Sequence, residues 1–269
     1  WRMKTSNHLL RRLTAALLAA VLALSIALPV FASDDGDTIY INSVSDVLSL
    51  ARNCAYDQWS VGKTVILQKD LSLEGMLWEP IPSFSGQFKG NGHTISDLTI
   101  TGQYSPAGLF GIVEEQGSIE SLSVRGVVSV SDSADPTTGG IVGINHGTLI
   151  NCQFTGVVTG DREVGGIVGR NESEGTIDHS TARAIVTGKS STGGIAGYNL
   201  GAITGCTNVG SINTEYPEAS LDTDGFTAKM VDYINNKMAA ADNDATNSVT
   251  NVATDTGGIA GRSSGMILT

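Results

Sequence analysis

Five copies of one short phrase recur along this chain, and their spacing constrains the fold more than any other feature. They are Gly108-Leu109-Phe110-Gly111, Gly140-Ile141-Val142-Gly143, Gly166-Ile167-Val168-Gly169, Gly194-Ile195-Ala196-Gly197 and Gly258-Ile259-Ala260-Gly261. A second glycine follows each copy. Gly117, Gly147, Gly175, Gly201 and Gly265 are separated by steps of 30, 28, 26 and 64 residues. Self-similarity at such a period is the signature of a repeat architecture.

The register behind each second glycine is regular. Two positions on stand Ile119, Leu149, Ile177, Ile203 and Ile267, and five on stand Leu122, Cys152, Ser180 and Cys206. Nine on stand Gly126, Gly156, Ala184 and Gly210, and eleven on stand Val128, Val158, Val186 and Ile212. The apolar residues are mostly β-branched and come in short runs broken by Gly, Asn and Ser, which is a strand-and-turn rhythm. One unit cannot bury its own apolar side. Stacked at ~4.8 Å, successive units would place like residues over like and close a continuous core. The expectation is an all-β chain forming a right-handed parallel β-helix, with three short strands per coil. The glycines suit corners that need positive φ. Asn145, Asn171 and Asn199 precede the second corner and also suit left-handed backbone. The first, second and fourth of the aligned apolar residues are expected in one buried column with Ile177 and Ile267.

The first 32 residues stand apart. Lys4, Arg11 and Arg12 precede an apolar run from Leu13 to Leu28, and Val30-Phe31-Ala32 makes a small-x-small cleavage site. Residues 1–32 read as a secretory signal peptide, so the expected location is secreted or at the cell surface, without membrane insertion after cleavage. The start at Trp1 and the end within a repeat at Thr269 read as a truncated frame. Cleavage would remove four basic residues and no acidic ones, leaving 12 basic against 27 acidic and a net charge of −15. That surface argues against nucleic acid and anionic membranes as partners.

Residues 33–83 read as an N-terminal cap. Ser43 has the character of a helix N-cap with Asp46 in the first turn, and Val44, Val47, Leu48 and Ala51 follow at helical spacing as far as about Cys54. Such a capping helix would cover the open end of the stack. Strands are expected at Thr64 to Leu67 and near Leu71 to Leu73. The repeats then occupy 84–269, with an insertion at 214–255. Phe226, Met230, Ile234 and Met238 fall there at spacing four, one face of a helix expected on the flank of the stack. Cys152 and Cys206 share a repeat position two coils apart. Two strand spacings, roughly 9–10 Å, exceed the ~7 Å reach of a disulfide, so free, small, buried apolar residues are expected.

The Gly-Leu/Ile-apolar-Gly phrase, led in by Trp78-Glu79-Pro80-Ile81-Pro82 and Gly86 to Ile95, resembles the GLUG motif of bacterial cell-surface proteins. The resemblance covers roughly residues 38–269. It implies an adhesin-like surface protein, or the non-catalytic region of an IgA-cleaving metallopeptidase. The His-Glu-x-x-His zinc helix of those peptidases is absent from this sequence, so their activity is not implied.

Other chemical motifs are weaker. Gly62-Lys63-Thr64 and Gly188-Lys189-Ser190 lack the earlier glycine of a phosphate loop and read as turns. His93, His146 and His179 fall on turns of different coils, with no converging metal set. Asp178-His179-Ser180 holds triad residue types, but strand neighbours point to opposite faces. No catalytic constellation and no cofactor site emerges. The loop joining each coil to the next is acidic: Asp132 and Asp135, then Asp161 and Glu163, then Glu215, Glu218, Asp222 and Asp224. These loops recur at one corner, where a Ca²⁺ ion could be held by carboxylates and carbonyls. Arg162 and Lys189 are the only bases nearby, a thin basis for a polysaccharide-cleaving enzyme. The reading is a secreted or surface-displayed stalk or adhesive module for a host glycan or protein. A carbohydrate-active enzyme on the same scaffold and the accessory region of a larger surface metalloprotease are the alternatives.

Overall fold

The computed structural model describes residues 37–56, 58–131, 136–213 and 254–268. The expected signal peptide and the apolar series Phe226 to Met238 lie outside them. The chain winds through about six turns of a parallel β-solenoid with one helix. A central coil runs through Arg162–Gly165, Val168–Asn171, Thr176–Asp178 and Thr181–Thr187. Each strand pairs in parallel with its equivalents one coil before and after. The described coils therefore build four sheets, of eight, six, seven and four strands. Three strands per coil were expected. The fourth is the short segment before each Gly-Ile-Val-Gly phrase, Thr138–Gly139 in its first occurrence. Its own apolar signal is a single Val or Thr, too little to reveal a strand.

The aligned column is present. Ile119, Leu149, Ile177 and Ile203 pair in sequence and are all buried. Ile267 pairs with Ile203 but is 38 % exposed, contrary to expectation. It sits on the last described strand, which no further described strand covers. At the other end the column continues through Phe88 and Val65. There Phe84, Phe88 and Phe110 meet with ring centroids 5.4–6.4 Å apart. Edge-on and tilted contacts of this kind add to simple burial.

The helix (α1) spans Val44–Asn53. Ser43 caps it in extended geometry, its hydroxyl accepting from the Asp46 N–H at 3.3 Å. The Asp46 carboxylate accepts in return from the Asn42 N–H at 2.9 Å, and this bond holds its pKa below the ordinary value. Val47 and Leu50 enter the core, while Val44, Leu48 and Ala51 are half-buried beside it. Leu50 adds to the face read from spacing alone.

The glycines serve a different purpose from the one expected. None of Gly117, Gly147, Gly175, Gly201 and Gly265 has positive φ. They allow backbone to approach backbone: a Cβ on Gly147 would lie 2.1 Å from the Gly117 carbonyl oxygen, and one on Gly201 2.1 Å from that of Gly175. The left-handed corner lies elsewhere, at Ser121, Asn151, His179 and Gly205, with φ of 46–59°. Three of those four are not glycine, a cost the stacked coil over-determines.

Asn145, Asn171 and Asn199 are not left-handed either. They end three neighbouring strands, point inward and are wholly buried. Asn145 Nδ2 donates to Asn171 Oδ1 at 2.7 Å, and Asn171 Nδ2 to Asn199 Oδ1 at 2.8 Å. Each amide also donates to a carbonyl of the following turn, that of Gly147, Gly175 or Gly201. The result is an asparagine ladder, continued at one end by Ser263 Oγ. At the other end it stops at Val113, which leaves Asn145 Oδ1 unpartnered.

A second interior column reads Thr138, Val164, Thr192. Both threonines are fully buried, and neither hydroxyl has a hydrogen-bond partner. Val164 already shows the isosteric solution one coil away. Thr138→Val and Thr192→Val should each raise stability by about 1 kcal/mol by deleting an unsatisfied polar atom. Denaturant unfolding of the two variants, with midpoints above that of the parent, is the expected result.

Candidate functional site

The acidic corner divides into residues that the structure describes and residues that it does not. Asp132, Asp135, Glu215, Glu218, Asp222 and Asp224 lie outside the described residues. Asp161 and Glu163 are two residues apart, but they have separate partners. Asp161 accepts Lys189 Nζ at 2.7 Å, and its backbone carbonyl accepts the N–H groups of Lys189 and Ser190. Glu163, in left-handed conformation with φ 49°, is buried, with 5 % exposure. Both its carboxylate oxygens accept from Arg170, a bidentate pair of the strong, oriented kind. Arg170 also faces Glu172 at 3.6 Å and lies over the Tyr198 ring, which Arg262 covers from the neighbouring coil. Glu163 therefore anchors an outward ladder of Arg, Tyr and Arg. Spacing could not show this, because Arg170 and Glu163 belong to different sheets.

The histidines stay apart. His93 Nδ1 meets Asp70 at 3.1 Å and His179 Nδ1 meets Asp178 at 2.8 Å. The second contact departs from the strand-alternation argument, because the left-handed backbone at His179 swings its ring back onto Asp178. Ser180 is turned inward, fully buried, its hydroxyl donating to the Asp178 carbonyl at 3.0 Å. Among the described residues no group of three metal-ligating side chains converges. The two phosphate-loop look-alikes are turns whose lysines face Asp37 and Asp161.

The thiols are free, Cys152 buried as expected and Cys206 only half-buried, and they are more than apolar filler. The single S–H of Cys152 can donate to the carbonyl of either Ile119 or Ile150, and that of Cys206 to either Ile177 or Thr204, all at 3.4–3.5 Å. Ser180, between them in the register, links them: its Oγ accepts from Cys152 N and its N–H reaches Cys206 Sγ. Burial pushes the Cys152 thiol up to about 12 and raises Cys206 as well. In the native state both should resist alkylation at neutral pH, since the thiolate is the reactive form. After denaturation both should label, with no Cys152–Cys206 crosslinked peptide in the mass spectrum. Native Cys152 keeps its proton above pH 9, where an unfolded thiol loses it, so its contribution to stability should fall from about pH 9 towards 12.

One groove of about 460 Å³ opens where three chain segments meet. Gln58 and Val61 come from the turn after α1, Ser83 and Ser85 from the strand Ile81–Phe84 and its end, and Glu114, Glu115 and Gln116 from the next corner. The Ser83 hydroxyl donates to Glu114 Oε1 at 2.7 Å, and Ser85 N–H donates to the Ser60 hydroxyl at 2.9 Å. Gln58 is left-handed with φ 61°. Sequence reasoning missed these residues. The only trace was Glu114, three residues before Gly117, matched by Glu172 before Gly175.

No protein-family model matches the chain. It is 30 % identical over 155 residues to halomucin of Haloquadratum walsbyi, a match covering 53 % of this chain and 2 % of that protein. It is 29 % identical over 137 residues to a protein of Evansella cellulosilytica named "Putative Gly-rich membrane protein", covering 37 % of this chain and 16 % of the relative. The chain thus spans only a small part of these relatives. Among described residues no helix is long and apolar enough to cross a membrane. A crystal structure from Bacteroides ovatus, described as a "putative immunoglobulin A1 protease", superposes with a TM-score of 0.50 at 21 % identity, over 65 % of this chain and 57 % of that one. That likeness is one of fold: the coiled parallel architecture recurs in a solved protein.

Proposed function

We propose that the chain is a secreted or surface-displayed β-solenoid module that acts as a stalk or adhesive surface, of the GLUG-repeat kind its sequence resembles. The carrying observation is the uninterrupted run of like-on-like columns. Such stacking makes a stiff, extendable rod whose outer face can vary while its interior does not. Similarity to segments of halomucin and of a Gly-rich membrane protein supports a surface setting. Protease shaving of intact cells, with an antibody to the described repeats, tests the proposal. Cleaved surface fragments or protein in the medium are the expected result, and protein confined to the cytoplasm would overturn it.

The enzyme alternative predicts turnover of a glycan by the purified chain. The accessory-region alternative draws on the fold likeness and predicts a His-Glu-x-x-His helix in a longer reading frame. Ca²⁺ at the acidic corner is a separate proposal. Asp161 and Glu163 already hold cationic side chains, so the ion would depend on Asp132, Asp135, Asp222 and Asp224. On that proposal the melting temperature rises in millimolar Ca²⁺ and returns with chelator, by mass action. An unchanged melting temperature would leave the corner as a solubility feature.

A further inference from the structure

We infer that the groove between the post-helix turn, Ser83 and Ser85, and the Glu114–Gln116 corner binds a neutral saccharide of one or two rings. The inference deepens the binding-surface reading above by naming a site and a ligand class. Size is the first argument. About 460 Å³ falls within the range of small-molecule sites and far exceeds a single ion with its oxygen cage.

Lining chemistry is the second. The walls present two carboxylates, two primary amides and two hydroxyls, with Val61 as the one aliphatic side chain. Amides and hydroxyls both donate and accept, and carboxylates accept strongly. A ligand dense in hydroxyls can satisfy all three types, whereas an apolar ligand would strand them unpaired. No lysine or arginine lines the groove, and two glutamates disfavour an anion. Glu114 keeps one carboxylate oxygen beyond the one that the Ser83 hydroxyl occupies.

Rigidity is the third. The turn is closed by Val61 N–H to Gln58 carbonyl at 3.1 Å and Lys63 N–H to Ser60 carbonyl at 3.1 Å. The far wall is held by Glu114 N–H on the Phe84 carbonyl at 2.9 Å and Gly117 N–H on the Glu114 carbonyl at 2.8 Å. Preformed walls reduce the ordering cost that weakens most surface binding. The left-handed Gln58 places a strained residue at the rim, a common mark of binding sites.

The test uses the purified full chain, so its outcome is independent of where cells place the protein. Lactose, cellobiose and N,N′-diacetylchitobiose are titrated by calorimetry and by ligand-observed NMR, beside trilysine and CaCl₂. Saturable binding of at least one disaccharide is expected. Glu115→Ala and Gln116→Ala should each weaken it by about fivefold or more, the loss of one hydrogen bond. Both residues are exposed at a corner, so circular dichroism should show the fold unchanged. Ser129→Ala on a different sheet should leave binding as it was. The inference is overturned if no disaccharide binds up to about 20 mM, a very weak interaction. It is equally overturned if only trilysine or Ca²⁺ binds, or if disaccharide binding survives both substitutions.

Discussion

Ile177→Asp should unfold the middle of the stack, while Thr176→Asp on the same strand should hardly be felt. The two residues are neighbours on Thr176–Asp178, but Ile177 is fully buried between Leu149 and Ile203, and Thr176 faces outward. A carboxylate at 177 would lie in an apolar column with no cationic partner. The expected cost is about 4–5 kcal/mol, from lost apolar burial and an unpaired buried charge. That is a large share of the stability of an ordinary domain. The solenoid adds a second consequence. Its stability is close to a sum of coil and interface contributions, so a break at one coil uncouples its two sides. Thermal unfolding of the variant should lose its single transition, with the aromatic N-terminal coils melting last. Thr176→Asp should fall within about 0.5 kcal/mol of the parent. Equal effects at the two positions would mean that the register is wrong.

Asn171→Asp should be nearly as damaging at neutral pH, and should recover in acid. Asn171 Nδ2 donates to Asn199 Oδ1 and the Gly175 carbonyl, and its Oδ1 accepts from Asn145. An aspartate keeps the acceptor but turns both donations into oxygen–oxygen contacts, and adds a charge at a position with no exposure. The expected loss at pH 7 is about 3–4 kcal/mol. Burial raises the folded-state pKa of the new carboxyl above its unfolded value near 3.9. The protonated native form is then favoured below that unfolded value, and its stability is lost as pH rises through the folded pKa. The deficit relative to the parent should therefore shrink on acidification towards about pH 4. Asn171→Leu, similar in shape and uncharged, should cost less at pH 7 and show no such pH dependence. It still strands Asn199 Oδ1, so about 2 kcal/mol is expected.

These two experiments probe different parts of what was legible. The Ile177 column could be read from the chain alone, because a repeat in register repeats its neighbours: two offsets from a glycine place one residue over the next. The helix at Val44–Asn53 was legible for a local reason, since Ser43 and Asp46 satisfy its first turn and the apolar spacing follows. The free thiols followed from strand spacing. The ladder at Asn171 was visible as a recurrence and misassigned. Asparagine is common at left-handed turns and in inward ladders alike, and only the direction of the strand end distinguishes them. The corner glycines were misassigned for a similar reason. Glycine serves both positive φ and close approach, and the 2.1 Å clash that excludes a Cβ is with a carbonyl of another coil.

What the sequence determined by itself was the repeat, its register, the parallel coil and the Ser43-capped helix before it. All of these follow from periodicity and short-range chemistry within some thirty residues. Tertiary structure alone decided which polar groups meet. It set Glu163 onto Arg170, lined up the three asparagine amides, left the Thr138 and Thr192 hydroxyls without partners, and brought Gln58, Ser83 and Glu115 to one groove. The physical reason is range. Hydrophobic stacking is non-directional and repeats with the chain, so it is written in the period. Hydrogen bonds and ion pairs are directional, and whether two groups meet depends on side-chain orientation that the period does not specify, even where, as for the asparagines, the residues themselves recur in register.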